Sequence, residues 1–252
     1  MAGTRPRVEL IPIFEDNYVF CLIDQDNQEV LVVDPGEAAK TSLFLKENNL
    51  SLKGVLLTHH HNDHIGGVRA LINEHPAPIF APKKNITQIG SADSWLSEGE
   101  KIKIGPFEFE VLELPGHTLG HIAYWEPKFK WLFSGDVLFG LGCGRIFEGT
   151  YEQAYHSLQR LKKLPSETLV YCTHEYTESN LNFCRMLSNL DNSPITGDSE
   201  ELELYANQLL TRREMNLPSV PLKLAVELNV NPFLLAKSIA QFSYLRELRN
   251  KQ

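Results

Sequence analysis

Short apolar runs alternate with turn residues along the first two thirds of the chain, a pattern typical of strands in a sheet core. The runs are rich in valine, isoleucine, phenylalanine and leucine. They predict nine strands: Val8–Phe14, Tyr18–Ile23, Glu29–Val33, Gly54–Leu57, Lys101–Ile104, Phe107–Leu114, Ile122–Trp125, Trp131–Phe133 and Thr168–Tyr171. Helical patterns separate some of them, at about residues 36–48, from about His64, and over Tyr151–Lys163.

The pattern changes at about residue 175, where the strand signals fade. Helical patterns then cover Ser179–Leu190, Glu200–Asn216, Leu222–Leu228 and Leu234–Asn250. A chain of 252 residues is long enough for one large domain, or for one domain with a smaller one attached. We therefore predict two domains, residues 1–175 and a helical domain of residues 176–252.

Four of the apolar runs lead directly into residue types that bind metals. The segments that follow these runs are Thr-His-His-His-Asn-Asp-His (58–64), Pro-Gly-His (115–117), Ser-Gly-Asp (134–136) and Cys-Thr-His (172–174). Loops at the ends of four strands can converge on one edge of a sheet core. Imidazoles and carboxylates gathered there could hold a metal ion that activates water, so a metal hydrolase is the leading interpretation.

The number of candidate ligands indicates two metal ions rather than one. The seven candidates are His59, His61, Asp63, His64, His117, Asp136 and His174. A zinc site with an open position takes three protein ligands, whereas two ions about 3.5–4 Å apart can share a carboxylate. We assign Asp136 as the shared ligand because it is the only donor in its loop. In an extended loop His59 and His61 point the same way, and His60 faces elsewhere.

Each of these residues also has an ordinary interpretation. A run of histidines can be a solvated segment, and Asp136 can be a turn residue or a helix cap. The metal interpretation is favoured because every candidate completes the same set of ligands. By contrast, His121 is interpreted as a structural residue or one that orients a neighbouring loop. His75 and His156 are expected to be ordinary structural or surface histidines.

Composition limits the possible partners. The formal net charge is −8, with a pI near 5.6, and this argues against a broad nucleic-acid surface. Apolar residues make up 42% of the chain, and no apolar run reaches the roughly 20 residues of a membrane span. The first residues lack the apolar stretch of a secretory signal, so we expect a cytoplasmic protein. The four cysteines form no Cys-x-x-Cys pair and indicate neither a zinc finger nor a disulfide framework.

The segment Thr-His-His-His-Asn-Asp-His resembles the Thr-His-x-His-x-Asp-His signature of the metallo-β-lactamase superfamily. Within that superfamily the chain looks like glyoxalase II, the hydroxyacylglutathione hydrolases. The narrower resemblance is carried by residues 12–18 (PIFEDNY), 115–121 (PGHTLGH), 142–150 (GCGRIFEGT) and 174–177 (HEYT). It covers nearly the whole chain, strongly to about residue 180 and more loosely afterwards.

The resemblance implies an α+β fold, a four-layer αβ/βα sandwich that carries the metals, followed by a small helical domain that binds glutathione. His59, His61 and His117 would bind the first metal, and Asp63, His64 and His174 the second. Asp136 would lie between them, and with Asp63 it would hold a metal-bridging hydroxide.

The residues implied as glutathione contacts are Arg145, Tyr176 and, at the C-terminus, Arg249. Arg145 and Tyr176 also have ordinary interpretations, as a surface ion pair and a packing residue. The tail departs from the family pattern, because Asn-Pro-Phe-Leu is often followed by Arg in the family and is followed by Leu235 here. The C-terminal contacts are therefore the least defined part of the expected site.

The implied reaction is hydrolysis of S-(2-hydroxyacyl)glutathione, for example S-lactoylglutathione, to D-lactate and glutathione in methylglyoxal detoxification. A water bound to a divalent ion has its pKa lowered to about 7, and the thiolate leaving group needs little general acid because thiols have a pKa near 8.5. Zinc is the expected metal, with iron or manganese as alternatives, since mixed shells of histidine and carboxylate accept all three. We expect a monomer.

Other functions remain open. The same fold hosts persulfide dioxygenases with one iron, which would need only His59, His117 and Asp136 as ligands. Another hydrolase of the superfamily would retain the two metals and differ in substrate. A catalytically silent metal-binding or scaffold protein is disfavoured by the intact set of seven ligands, and RNA processing is disfavoured by the acidic charge.

Overall fold

The computed structural model describes residues 4–189 and 199–252, which form two compact units. The first unit comprises Met1–Glu113 and Gly120–Phe129, and the second comprises Leu114–Leu119 and Lys130–Gln252. The predicted helix Ser179–Leu190 runs to a residue outside the described range. The proposed domain boundary near residue 175 stays a prediction.

The first unit contains most of the strands. Its elements are β1 (Arg7–Ile13), β2 (Asn17–Asp24), β3 (Glu29–Val33), α1 (Ala38–Glu47), β4 (Ser51–Leu56), α2 (Asn62–Ile65), α3 (Val68–Glu74), β5 (Ile79–Pro82), α4 (Ile86–Ile89), β6 (Ser94–Leu96), β7 (Lys101–Ile104), β8 (Phe107–Glu113) and β9 (Ile122–Glu126). A 3₁₀ turn at Lys83–Asn85 precedes α4. Strands β1 to β6 form one sheet in chain order, antiparallel up to β3 and parallel from β3 to β6.

The order of this sheet places the loops after β3 and β4 at one edge, because parallel neighbours end on the same side. Every residue of β2 is buried, as expected for an interior strand covered on both faces. Strands β7, β8 and β9 pair antiparallel as a meander within the same unit. The apolar core of the unit collects side chains from β1 to β5 and from α1 and α3.

The second unit contains the remaining elements: β10 (Trp131–Gly135), β11 (Leu138–Phe139), β12 (Gly142–Cys143), α5 (Tyr151–Leu161), β13 (Leu169–Cys172), α6 (Thr177–Ser188), α7 (Ser199–Glu214), β14 (Leu222–Lys223), α8 (Leu224–Val230), α9 (Pro232–Leu235) and α10 (Ile239–Arg249). Strand β13 lies parallel to β10 and antiparallel to β14. Strands β11 and β12 form a separate short hairpin. Leu141, in the turn of this hairpin, belongs to an apolar cluster with residues of α6, α7 and α8.

All nine predicted strands are present, with ends shifted by a few residues. Five short strands were not predicted: β5, β6, β11, β12 and β14. The prediction of one helix over Leu234–Asn250 is wrong, because α9 ends at Leu235 and Ser238 begins a new helix by accepting a hydrogen bond from the Gln241 N–H. No helix of the described residues is long and apolar enough to span a membrane.

Candidate metal centre

In the first unit, a buried carboxylate organises the histidine-rich loop after β4. Asp34 follows β3. Its Oδ1 accepts a hydrogen bond from the backbone N–H of Thr58 at 2.8 Å, and its Oδ2 accepts one from the Thr58 hydroxyl at 2.6 Å. The same Oδ2 lies 2.9 Å from Nδ1 of His64. Since β3 and β4 are parallel neighbours, the fold itself places Asp34 beside this loop.

This contact determines which nitrogen of His64 can bind a metal. When Nδ1–H donates to Asp34, Nε2 has no hydrogen and carries the lone pair that a metal requires. His64 is fully buried, and its Nε2 lies 3.5 Å from Oδ2 of Asp63. Asn17 donates from Nδ2 to the same Asp63 oxygen at 3.0 Å, which fixes the direction of the carboxylate.

The other two candidate histidines of this loop also face each other. Nε2 of His59 lies 3.0 Å from Nδ1 of His61, and His59 is fully buried. His60 points elsewhere, because its Nδ1 contacts the Asn85 amide at 3.0 Å, as the alternation of side chains predicts. His121 stacks on the His59 ring with centroids 4.7 Å apart, a position that agrees with an orienting role rather than with a ligand role.

In the second unit, two histidines converge on one aspartate oxygen. Oδ2 of Asp136 lies 3.4 Å from Nε2 of His117 and 3.3 Å from Nε2 of His174. Nδ1 of His117 lies 2.7 Å from the backbone carbonyl of Arg145, so Nδ1 must carry a hydrogen and Nε2 is the nitrogen that the neutral ring can offer to a metal. All three candidate ligands are nearly buried. A carboxylate that two imidazoles approach is suited to sharing between metals.

Two glycines allow the backbone to adopt this arrangement. Gly135 has a φ of +49°, which lets the chain turn directly into Asp136. Gly144 lies so close to this turn that a Cβ on it would be 1.9 Å from the Asp136 carbonyl oxygen. These glycines explain why short Ser-Gly-Asp and Gly-Cys-Gly segments lie in the two neighbouring stretches of chain.

The residues that were predicted to bind glutathione all lie in the second unit. Arg145 is exposed, and its guanidinium lies 5.6 Å from the centre of the Phe147 ring. Tyr176 stacks on His174, with centroids 4.7 Å apart and planes 6° apart. Arg249 donates to Asn180 at 3.1 Å and to Ser179 at 2.7 Å, and burial lowers the pKa of its guanidinium.

Sequence reasoning missed three residues that orient the candidate ligands or the neighbouring chain. Asp34 follows a predicted strand, Asn17 lies in the family segment 12–18, and Glu227 lies in a predicted helix, and none of the three is a predicted site residue. The signal for Asp34 was available, since a carboxylate that directly follows a buried strand tends to have a partner. His75 and His156 are ordinary, as predicted: His75 contacts the Ser42 hydroxyl at 2.8 Å, and His156 is exposed.

The donor set fits divalent metal ions. Each of the seven predicted ligands belongs to a group of histidine and aspartate side chains that could hold a metal ion. The Nδ1 contacts of His64 and His117 orient both rings and leave Nε2 of each as the nitrogen available to a metal. Mixed imidazole and carboxylate ligands suit zinc, iron and manganese, so the identity of the metal is not fixed by the residues alone.

Comparison with known families supports the same chemistry. Residues 16–174 match the profile of the metallo-beta-lactamase superfamily, and residues 175–252 match the hydroxyacylglutathione hydrolase C-terminus. A hydroxyacylglutathione hydrolase of Bdellovibrio bacteriovorus is 65% identical over 248 residues, covering 98% of this chain and 99% of the relative. The chain belongs to the hydroxyacylglutathione hydrolase family. The family predicted from the histidine motif and the later segments is therefore confirmed.

More distant relatives agree. The hydroxyacylglutathione hydrolase of Idiomarina loihiensis is 41% identical over 228 residues, covering 90% of this chain and 85% of the relative. Among solved structures, ETHE1 from Myxococcus xanthus is 25% identical and covers 96% of this chain and 90% of its own, with a TM-score of 0.69. TTHA1623 in a di-iron-bound form is 27% identical and covers 67% of this chain and 91% of its own, with a TM-score of 0.54. The predicted α+β metallo-β-lactamase fold with a C-terminal helical region is confirmed.

Proposed function

We propose that this chain hydrolyses the thioester bond of S-(2-hydroxyacyl)glutathione and releases a 2-hydroxy acid and glutathione. The family assignment carries the reaction class, since relatives of 65% and 41% identity bear this enzyme name over nearly their full lengths. The match of residues 175–252 to the C-terminal profile narrows the assignment from the superfamily to the hydroxyacylglutathione hydrolases. S-lactoylglutathione is the proposed substrate, D-lactate the acid that is released, and methylglyoxal detoxification the proposed role.

Two divalent metal ions are the proposed cofactors. His59, His61 and His117 are assigned to the first ion, Asp63, His64 and His174 to the second, and Asp136 to both. The observation that carries this assignment is the approach of two imidazoles to one oxygen of Asp136. The solved relative in a di-iron-bound form supports a pair of ions. When bound, such ions supply a water of lowered pKa and polarise a carbonyl group.

Hydrogen bonds from neighbouring residues orient the proposed ligands, and the thiolate leaving group needs little general acid. Asp34 and the Arg145 carbonyl accept hydrogen bonds from Nδ1–H of His64 and His117, so that Nε2 of each ring is the nitrogen that can bind a metal. Asn17 holds the Asp63 carboxylate in one orientation. A thiol has a pKa near 8.5, so its anion leaves with little help from a general acid. The proposed reaction therefore needs no separate acid residue beside the metal ligands and the groups that orient them.

Substrate binding is assigned to the second part of the chain. Residues 1–175 are proposed as the catalytic domain and residues 176–252 as the domain that binds glutathione. Arg145 is proposed to bind a glutathione carboxylate, because a guanidinium forms paired hydrogen bonds with carboxylates. Tyr176, stacked on His174, is proposed to contact the substrate beside the metals. Arg249 is the weakest assignment, since its donors already bind Ser179 and Asn180.

Zinc is the proposed metal, and a cytoplasmic monomer is the proposed form of the protein. The alternative of a persulfide dioxygenase with a single iron is not favoured, because relatives of 65% and 41% identity are named as hydrolases and the C-terminal profile matches. The single-iron set would also leave Asp63, His64 and His174 without a ligand role.

One experiment tests the proposal directly. Purified protein is mixed with S-lactoylglutathione, loss of the thioester is followed by absorbance, and metal content is measured by elemental analysis. We expect turnover together with two metal ions per chain. One iron per chain, with oxygen uptake on glutathione persulfide and no thioester cleavage, would contradict both the reaction and the cofactor assignment.

A further inference from the structure

The hairpin of β11 and β12 is held by polar side chains from the C-terminal helices. Oε2 of Glu227, in α8, accepts a hydrogen bond from the backbone N–H of Leu141 at 2.8 Å. Asn231, which begins α9, donates from Nδ2 to the carbonyls of Phe139 and Gly142, each at 3.1 Å, and to Glu227 at 2.9 Å. The two side chains therefore form hydrogen bonds with both strands of the hairpin and with its turn.

The turn of the hairpin needs this support. Leu141 has a φ of +56°, a left-handed conformation that a residue other than glycine adopts only when its surroundings enforce it. Its side chain is fully buried against α6, α7 and α8. Glu227 and Asn231 are also fully buried, and a buried polar side chain is tolerated when it forms specific hydrogen bonds. Replacing the carboxylate by an apolar group would leave the Leu141 N–H without its acceptor.

The hairpin leads directly to Arg145. Arg145 is the second residue after β12, and Gly144 between them is hydrogen-bonded to the Val137 carbonyl at 3.2 Å. The Arg145 side chain is exposed, so its direction depends on the backbone that precedes it. Asp136 and His174 are supported independently, because Gly135 pairs with Cys172 in the parallel strands β10 and β13. A displaced hairpin should therefore move Arg145 more than these two ligands.

We propose that Glu227 and Asn231 are positioning residues for substrate binding, which hold the β11–β12 hairpin, and through it Arg145, in the conformation that binds the glutathione part of the thioester. The inference rests on the proposed function, since it requires a glutathione thioester as the substrate. It gives the helical region a role in shaping the proposed substrate site through its contacts with the hairpin. Neither residue contacts the substrate in this proposal.

The test compares two substitutions at Glu227 in the metal-loaded, full-length protein. Glu227→Leu removes the acceptor for the Leu141 N–H, whereas Glu227→Gln keeps an acceptor of the same shape. With S-lactoylglutathione and saturating metal we expect Glu227→Leu to raise KM about tenfold and to lower kcat by a smaller factor, because the Arg145 carbonyl that contacts His117 belongs to the same segment. We expect Glu227→Gln to keep KM within about twofold of wild type. Glutathione, as a competitive inhibitor, should lose affinity in parallel with KM.

Asn231→Ser provides a second variant if Glu227→Leu fails to fold. Serine keeps an oxygen that can accept the Phe233 N–H at the start of α9, but it cannot reach the hairpin carbonyls. Asn229→Ser is the matched control, because Asn229 lies on α8 beside Glu227 and its amide donates to Glu201 of α7 at 2.9 Å. We expect KM to rise with Asn231→Ser and to stay unchanged with Asn229→Ser.

The outcomes separate this inference from the proposed function. Wild-type turnover with an unchanged KM in folded Glu227→Leu or Asn231→Ser would overturn the positioning role and leave the reaction intact. An equal rise of KM in Glu227→Gln and Glu227→Leu would also overturn it, since the acceptor would then be irrelevant. Absence of wild-type turnover on S-lactoylglutathione would refute the proposed function instead.

Discussion

Substitution of Glu227 by glutamine should change how the stability of the protein depends on pH. Burial raises the pKa of Glu227 from its ordinary value of 4.5 to about 7, against the opposing effect of hydrogen bonds from the Leu141 N–H and the Asn231 amide. The native protein therefore binds this proton more tightly than the unfolded chain does. The resulting stabilisation is complete below pH 4.5 and is lost as the pH rises through about 7.

The magnitude follows from the difference between the two pKa values. It corresponds to about 3 kcal/mol in the free energy of unfolding, of which about 2.5 kcal/mol is lost between pH 5 and pH 8. Three titratable groups face Glu227: Cys172, Cys184 and Tyr205. Burial raises the pKa of each, and the charge of Glu227 raises it further, so all three stay neutral in this range. Glutamine cannot ionise, and its amide can keep the acceptor at the same place.

The assay is urea unfolding of metal-free protein at pH 5 and pH 8. Wild type should lose about 2.5 kcal/mol more than Glu227→Gln between these pH values, while the titration of histidines affects both proteins equally. Glu247→Gln, an exposed position on α10, makes the same change of charge and should behave as wild type. Equal losses in wild type and Glu227→Gln would show that Glu227 keeps an ordinary pKa, and would refute this reasoning.

Three further substitutions test the metal ligands and the substrate site. Asp136→Ala should lower both metal content and kcat by orders of magnitude, because the shared ligand is lost; near-normal turnover measured beside elemental analysis would contradict the assignment. Arg145→Ala should raise KM with little change in kcat, and a lowered kcat at constant KM would argue against a binding role. Asp34→Asn should weaken metal affinity about 10–100-fold in a competition titration with a chelator, since His64 loses its anionic partner; wild-type affinity would exclude that orienting role.

Local sequence determined the elements that have a strong repeating pattern. The nine predicted strands contain valine, isoleucine, leucine or aromatic residues and are bounded by turn residues, and this composition favours strands. The five missed strands have two to four residues each, and the two-residue strands β11, β12 and β14 are too short to show a repeating pattern. Their conformation depends on neighbours that lie far away in sequence, as when β14 pairs with β13 across about 50 residues.

The candidate ligands could be read from the sequence because metal chemistry restricts the residue types so strongly. Histidine and aspartate directly after strands have few other common roles in such a pattern. Their orienting partners could not be matched to them in this way. Asp34 lies 30 residues before His64, and Glu227 lies 86 residues after Leu141, so only the fold brings each pair into contact.

The sequence by itself determined the family, the sheet-rich first part of the chain, and the types of side chain available for binding metals. These depend on short motifs and on local apolar periodicity, which are complete within a few residues. Tertiary structure alone decided which nitrogen of His64 and His117 is available to a metal and why a buried glutamate supports the hairpin before Arg145. Those properties arise from hydrogen bonds between distant segments, and a buried polar group acquires its role only when the fold supplies its partner.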